Sequence, residues 1–203
     1  MVRLIALSAI AERARRPGLG ALVVLIFAGV TAAAQETSLP VDPQHTTIKF
    51  TLSDVLHTVR GSFRLKRGSL HLDAASGKLI GEIVVDAKSG DSGNGMRDRK
   101  MHREVLESDR YPEIAFRPDR VEGTVSPKGQ SFVSVHGIFT IHGSDHELTV
   151  PAQVEMASDH WNAALHFSIP YVKWGIKNPS TLFLRVSESV DIDLNAAGAI
   201  ASP

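Results

Sequence analysis

The sequence contains no cysteine in its 203 residues. Disulfide staples, thiolate nucleophiles and cysteine zinc sites are closed to it, as is the thioether-linked lipid of a bacterial lipoprotein. It also lacks the signatures G-x-S-x-G and H-E-x-x-H and the phosphate-binding P-loop. Asn178-Pro179-Ser180 fails as a glycosylation acceptor because of its proline. Neither sign of charge dominates, with 22 basic residues against 22 acidic ones, so nothing favours nucleic acid as a partner. No apolar run reaches the roughly 20 residues that a stable membrane-spanning helix takes.

The longest such run, Leu19 to Val30, follows Arg3, Arg13, Arg15 and Arg16 and precedes the small residues Ala32 and Ala34. Basic, apolar and small segments in that order are the layout of an export signal. Residues 1–34 are expected to be that signal, cut near Ala34 before Gln35, with an uncleaved anchor as the alternative. Residues 35–203 would then work in the periplasm or outside the cell. Taking the four arginines and Glu12 from the 22 and 22 leaves 18 basic against 21 acidic residues. The remaining chain fits one domain able to bury its own core.

What the chain does have is apolar alternation with period two, the mark of strands buried on one face. Ile48, Phe50 and Leu52 alternate with Lys49, Thr51 and Ser53, and Val59, Phe63 and Leu65 with Arg60, Ser62, Arg64 and Lys66. The pattern continues through Leu70 and Leu72, Ile83 and Val85, Ile114 and Phe116, and Val121 and Val125. Further strands are expected at Val133 to Ile141, Leu148 to Met156, Trp161 to Ile169 and Leu182 to Leu194. Gly61, Gly81 and Gly123 fall on the apolar parity, where a sheet can bend or be closely approached. Turn residues such as Pro127-Lys128-Gly129 and Gly143-Ser144-Asp145 separate the strands. Nine or ten short strands in antiparallel order are expected to close into a barrel.

One segment departs from this pattern. Residues 94–107 place Met101, Val105 and Leu106 on one stripe with charges elsewhere, as in an amphipathic helix. Ser92 or Asn94 can cap it, and Tyr111-Pro112 is expected to end it. Such a helix would plug one end of the barrel with its stripe facing inward.

Nine histidines raise the question of a metal, with His142-Gly-Ser-Asp-His146 the best candidate. If Ile141 pairs with Leu148 across the hairpin, His142 points outward and His146 inward, so the two share no ion. No metal site is expected. Asp98 and His102 lie four apart on the helix, a spacing at which a carboxylate can orient an imidazole, but the preferred reading of the pair is a solvated helix face. No catalytic residue and no cofactor are assigned. The inner parity is almost purely apolar, so the interior is either filled by side chains or holds one apolar ligand. Alternation leaves both open.

Asp91-Ser-Gly-Asn-Gly-Met-Arg-Asp-Arg-Lys-Met-His102 followed by Tyr111-Pro-Glu-Ile-Ala-Phe116 resembles the YceI-like family of periplasmic polyisoprenoid-binding proteins. Asp42-Pro-Gln-His45, Val59-Arg-Gly-x-Phe63 and Gly137-x-Phe-Thr-Ile-His-Gly143 match as well. The chain departs from the family at Ser53-Asp54, with His57 three positions later, and at Tyr171-Val-Lys-Trp-Gly175. The resemblance covers about residues 41–195. It implies an all-β, antiparallel, lipocalin-like barrel of eight strands with one inserted helix, and a tunnel for an isoprenoid chain such as a quinone tail. The expected tunnel lining is Phe50, Phe63, Val85, Met101, Phe116, Val135, Phe139, Leu165, Phe167 and Leu184. On this reading the protein is a non-enzymatic lipid carrier, monomeric or dimeric, with transient membrane contact. A packed interaction module and an enzyme acting on a bound quinone or fatty amide are the alternatives.

Overall fold

The computed structural model describes residues 36–53, 58–180 and 185–200. The expected signal segment, Asp54 and His57, and Leu182 and Leu184 lie outside these ranges. The alternating segments form nine strands: β1 (Glu36–Pro40), β2 (Thr47–Ser53), β3 (Thr58–Asp73), β4 (Lys78–Asp91), β5 (Glu113–Glu122), β6 (Gly129–Ile141), β7 (Ser144–Met156), β8 (His160–Ile169) and β9 (Val190–Ala199). They pair antiparallel in the order β3-β2-β9-β8-β7-β6-β5-β4, and β4 pairs back onto β3. Eight strands therefore close a ring, as expected, and closure removes the unpaired edges of an open sheet.

Three details differ from the alternation. β1 is new: Glu36-Thr-Ser-Leu-Pro40 carries a single large apolar residue, so no periodicity announces it. It runs beside Ser69–Asp73 of β3, beyond the part of β3 that β2 occupies. The apolar sets around Phe63 and around Leu70 belong to one sixteen-residue strand, not two. Between Leu65 and Arg67 the register against β4 shifts. An extra residue in one strand reverses its side-chain parity, which is why odd-numbered Leu65 and even-numbered Leu70 and Leu72 are all buried. The last strand starts later than expected, at Val190.

The β6–β7 hairpin closes more tightly than expected. Ile141 pairs with Ser144 and Phe139 with His146, whereas the sequence suggested Ile141 with Leu148. The cause is a two-residue turn in which His142 (φ 51°) and Gly143 (φ 74°) both take left-handed backbone, the geometry that matches the twist of a hairpin. On its other side β7 pairs with β8 only from Ala152 onward, just past Pro151, which has no N–H to give a ladder.

The helix is α1 (Gly95–Lys100), continued by a π-helical turn over Met101–Val105. Asn94 caps it, its side chain accepting from the N–H groups of Met96 and Arg97. It ends at Val105, within two residues of the expected 107, and Glu107 at φ 46° is a left-handed residue that stops it before Tyr111-Pro112 is reached. Buried side chains gather in two groups. One, around Leu39, Leu70, Val150 and Trp161, closes the end of the barrel near β1. The other, around Phe139, Ile141, Ile169, Tyr171 and Ile176, lies nearer the helix.

Candidate functional site: an apolar cavity with a polar mouth

The inward faces of the strands do not fill the barrel. They enclose a cavity of about 820 Å³ lined by aliphatic and aromatic side chains of the strands and the helix. Phe63, Val85, Phe116, Leu165 and Phe167 point inward yet are only half-buried, because the surface they face is empty space. Phe50 and Phe63 lie 5.4 Å apart between ring centres. The Phe50 ring sits over Gly61, and the Phe63 ring and Met101 sit over Gly90. Any Cβ at either glycine would collide with those groups, so both positions have to be glycine for the aromatic wall to stand where it does.

Of the ten residues expected to line a tunnel, nine line this cavity, Met101 and Phe139 included. The tenth, Leu184, lies outside the described residues. The sequence reading missed the deep apolar wall contributed by Leu39 and Trp161, and it missed the polar lining, Ser92, Asn94, Arg97 and Lys100. Parity does not reveal Leu39, because β1 has no alternation. Arg97 and Lys100 flank Met96 and Met101 on the helix, so their place beside the apolar stripe was the available signal.

The cavity is closed at one end, where Trp161 Nε1 donates to the Pro40 carbonyl at 3.2 Å. At the other end the lining residues Asn94, Met96 and Arg97 are exposed, which locates the mouth at the helix. The mouth is held by hydrogen bonds. Arg97 Nε donates to Ser92 Oγ at 2.7 Å and Arg97 Nη2 to the Ser92 carbonyl at 2.8 Å. Lys100 Nζ donates to the Pro179 carbonyl at 3.0 Å, and Lys177 Nζ to Glu104 Oε2 at 3.2 Å. These last two tie the segment after β8 to the helix. Tyr171 donates to the Ser187 carbonyl at 2.6 Å. Burial, reinforced by the charge of Glu188, pushes its hydroxyl up to about 12, so it stays neutral.

Asp98 and His102 do not form a carboxylate–imidazole pair. Burial raises the Asp98 carboxyl, but hydrogen bonds from Ser92 Oγ and N outweigh it and hold the group below its usual range. His102 Nε2 lies 2.9 Å from the Gly90 carbonyl and Nδ1 3.2 Å from Ser108 Oγ. With Nε2 donating to the carbonyl, Nδ1 accepts from the hydroxyl, and the ring serves to fix the helix to β4. His142 packs on Tyr111 with ring centres 4.5 Å apart, while His146 stacks on Trp174 at 4.1 Å. Among the described residues no group of three metal-capable side chains gathers.

A family model, the YceI-like domain, matches residues 40–197. No curated protein matches the sequence. Among solved structures, Burkholderia cenocepacia BcnA superposes with TM-score 0.66 at 16% identity, over 78% of this chain and 99% of that one. A polyisoprenoid binding domain from Saccharophagus degradans, implicated in plant cell wall breakdown, gives TM-score 0.58 at 14% identity, over 82% and 100%. The Campylobacter jejuni YCEI protein gives 0.51 at 11% identity, over 96% and 94%. At these identities the likeness is one of fold.

Proposed function

The chain belongs to the YceI-like domain family, and from that premise we propose that it is a non-enzymatic carrier that holds one long apolar lipid, of the isoprenoid class, inside its barrel. The observation that carries this is the cavity of about 820 Å³, apolar along its length and polar only at one mouth. Such a volume lies within the usual range of ligand sites. The polyisoprenoid binding domain of Saccharophagus degradans has the same fold, which supports the isoprenoid class. The packed-module alternative needs a filled interior, and the cavity argues against it. Tyr171 and His102 are both engaged in structural hydrogen bonds, which gives an enzyme reading little to build on.

Burying roughly ten methylenes at about 0.8 kcal/mol each gives on the order of 8 kcal/mol before the costs of association. One hydrogen bond at the mouth adds only about 1 kcal/mol. Affinity therefore comes from the walls, and the mouth sets orientation. Export fits the same picture, with residues 1–34 as a cleaved signal and the carrier working in the periplasm or beyond, since an apolar chain in an aqueous compartment needs a shielded interior.

The test is solvent extraction of protein purified from its native host, with mass spectrometry of what is released. A prenyl lipid is expected. Phe63→Glu, which places a charge on the wall, should abolish loading while circular dichroism stays that of a folded barrel. Protein that releases no lipid and takes up no prenyl alcohol would refute the carrier reading, and normal loading of a folded Phe63→Glu variant would move the ligand elsewhere.

A further inference from the structure

We propose that the end of the barrel bearing the cavity mouth is a docking face for an anionic lipid bilayer. This rests on the reading of the cavity as a lipid site, and it names the surface against which that lipid is exchanged. The first observation is the opening itself. The cavity reaches solvent beside Asn94, Met96 and Arg97, and Met96 stands 73% exposed there. An apolar opening rimmed by an exposed thioether side chain gains by leaving water.

The second observation is charge. The described segments that frame the mouth, residues 91–104, 173–180 and 185–186, carry seven cations: Arg97, Arg99, Lys100, Arg103, Lys173, Lys177 and Arg185. They carry three carboxylates, and each is engaged. Asp91 accepts from the Gly93 N–H, Asp98 from Ser92, and Glu104 from Lys177. Just past the helix, Glu107 and Asp109 are met by Arg110 and Lys88. Arg99, Lys173 and Arg185 are exposed. The basic rim is not a property of the whole chain, because residues 35–203 hold 18 basic against 21 acidic side chains. Toward the closed end the turns carry Asp73, Glu122, Glu155 and Asp159 against Lys78 and Lys128. A barrel so charged along its axis turns its mouth toward a negative surface.

The third observation is that the rim is one piece. The links from Lys100 to Pro179 and from Lys177 to Glu104 hold the second segment against the helix, so cations from both present together. A basic patch alone would suit an acidic protein equally well. The apolar opening in its centre and the exposed Met96 favour a bilayer, which offers both negative head groups and an apolar interior.

The test is cosedimentation of the mature protein with vesicles of phosphatidylcholine alone and of phosphatidylcholine with phosphatidylglycerol, at rising salt. Uptake of a prenyl alcohol from detergent is measured in parallel. Retention is expected only on the anionic vesicles, fading as salt rises. Each basic residue near a bilayer surface changes partitioning roughly fivefold, so Arg99→Glu/Lys173→Glu should lower retention by more than about tenfold. Lys128→Glu, at the closed end, should leave it unchanged. Equal retention of the double variant, or equal binding to both vesicle types, would overturn the docking face, as would capture by polyglutamate beads without vesicle binding. Prenyl uptake from detergent without vesicle binding removes the docking face and leaves the carrier reading standing. Selective vesicle binding without uptake supports the face and removes the carrier reading.

Discussion

Glu113 occupies the point where a backbone irregularity becomes an electrostatic one. The register shift after Leu65 leaves Lys66 and Arg67 both exposed on the outer wall, and each donates to Glu113 at 2.8 Å. Those hydrogen bonds, from Arg67 first and then Lys66, lower its carboxyl from 4.5 to about 2. A carboxyl whose folded value is depressed adds stability that is complete above its unfolded value and fades as pH falls through its folded one. Glu113 is about a third exposed and the two cations just over half, so solvent screening limits the gain to below about 1 kcal/mol. Glu113→Gln should therefore be slightly less stable than the native protein at neutral pH in urea titrations. The difference should shrink between about pH 4.5 and about pH 2. A gap that stays constant over that window would refute the assignment. The histidines repay attention at this scale too. His142 reads from sequence as an outward strand residue, yet it takes a left-handed turn position, because the turn needs two such residues and only one glycine is present.

At the scale of the element, the bulge in β3 decides which residues are inside. Without it, Leu70 and Leu72, now 8% and 4% exposed, would face water while their polar neighbours faced the core. Each such side chain is worth about 1.5–3 kcal/mol when buried, so the pair amounts to a large fraction of an ordinary domain's 5–15 kcal/mol. Deleting Arg67 removes the extra residue, and the variant is expected to lose most of its stability or fail to fold. Arg67→Ala keeps the residue count and should cost little. If the deletion and the alanine variant denatured at the same urea concentration, the bulge would not be setting parity. The helix offers a complementary case. Its stripe of Met101, Val105 and Leu106 could be read directly and does line the cavity. Its π-helical second half and the left-handed backbone of the residue that stops it could not.

At the scale of the whole molecule, the ring of eight strands encloses more volume than its own side chains fill. An empty apolar space forgoes the dispersion contacts that packed interiors make, so a lipid that enters it should stabilise the fold. Ligand at 100 times its dissociation constant adds about 2.7 kcal/mol, which for a chain of this size corresponds to roughly 5–10 °C in Tm. Calorimetry of delipidated protein with and without prenyl alcohol should show that rise. An unchanged Tm at saturating lipid would mean that the cavity is not the binding site.

The amino-acid order alone determined the period of the strands, the place of the helix and the apolar character of the inner face, because side-chain alternation and capping are local consequences of backbone geometry. Nine of the ten residues expected to line the tunnel could be placed beside the cavity for that reason. It could not tell a filled barrel from a hollow one, since apolar parity is the same in both. Whether Phe63 and Phe167 meet each other or meet empty space depends on ring closure, on the glycines beneath the aromatic wall and on how far the helix sits from the floor at Trp161. Those are distances between segments remote in the chain, and only the tertiary structure sets them.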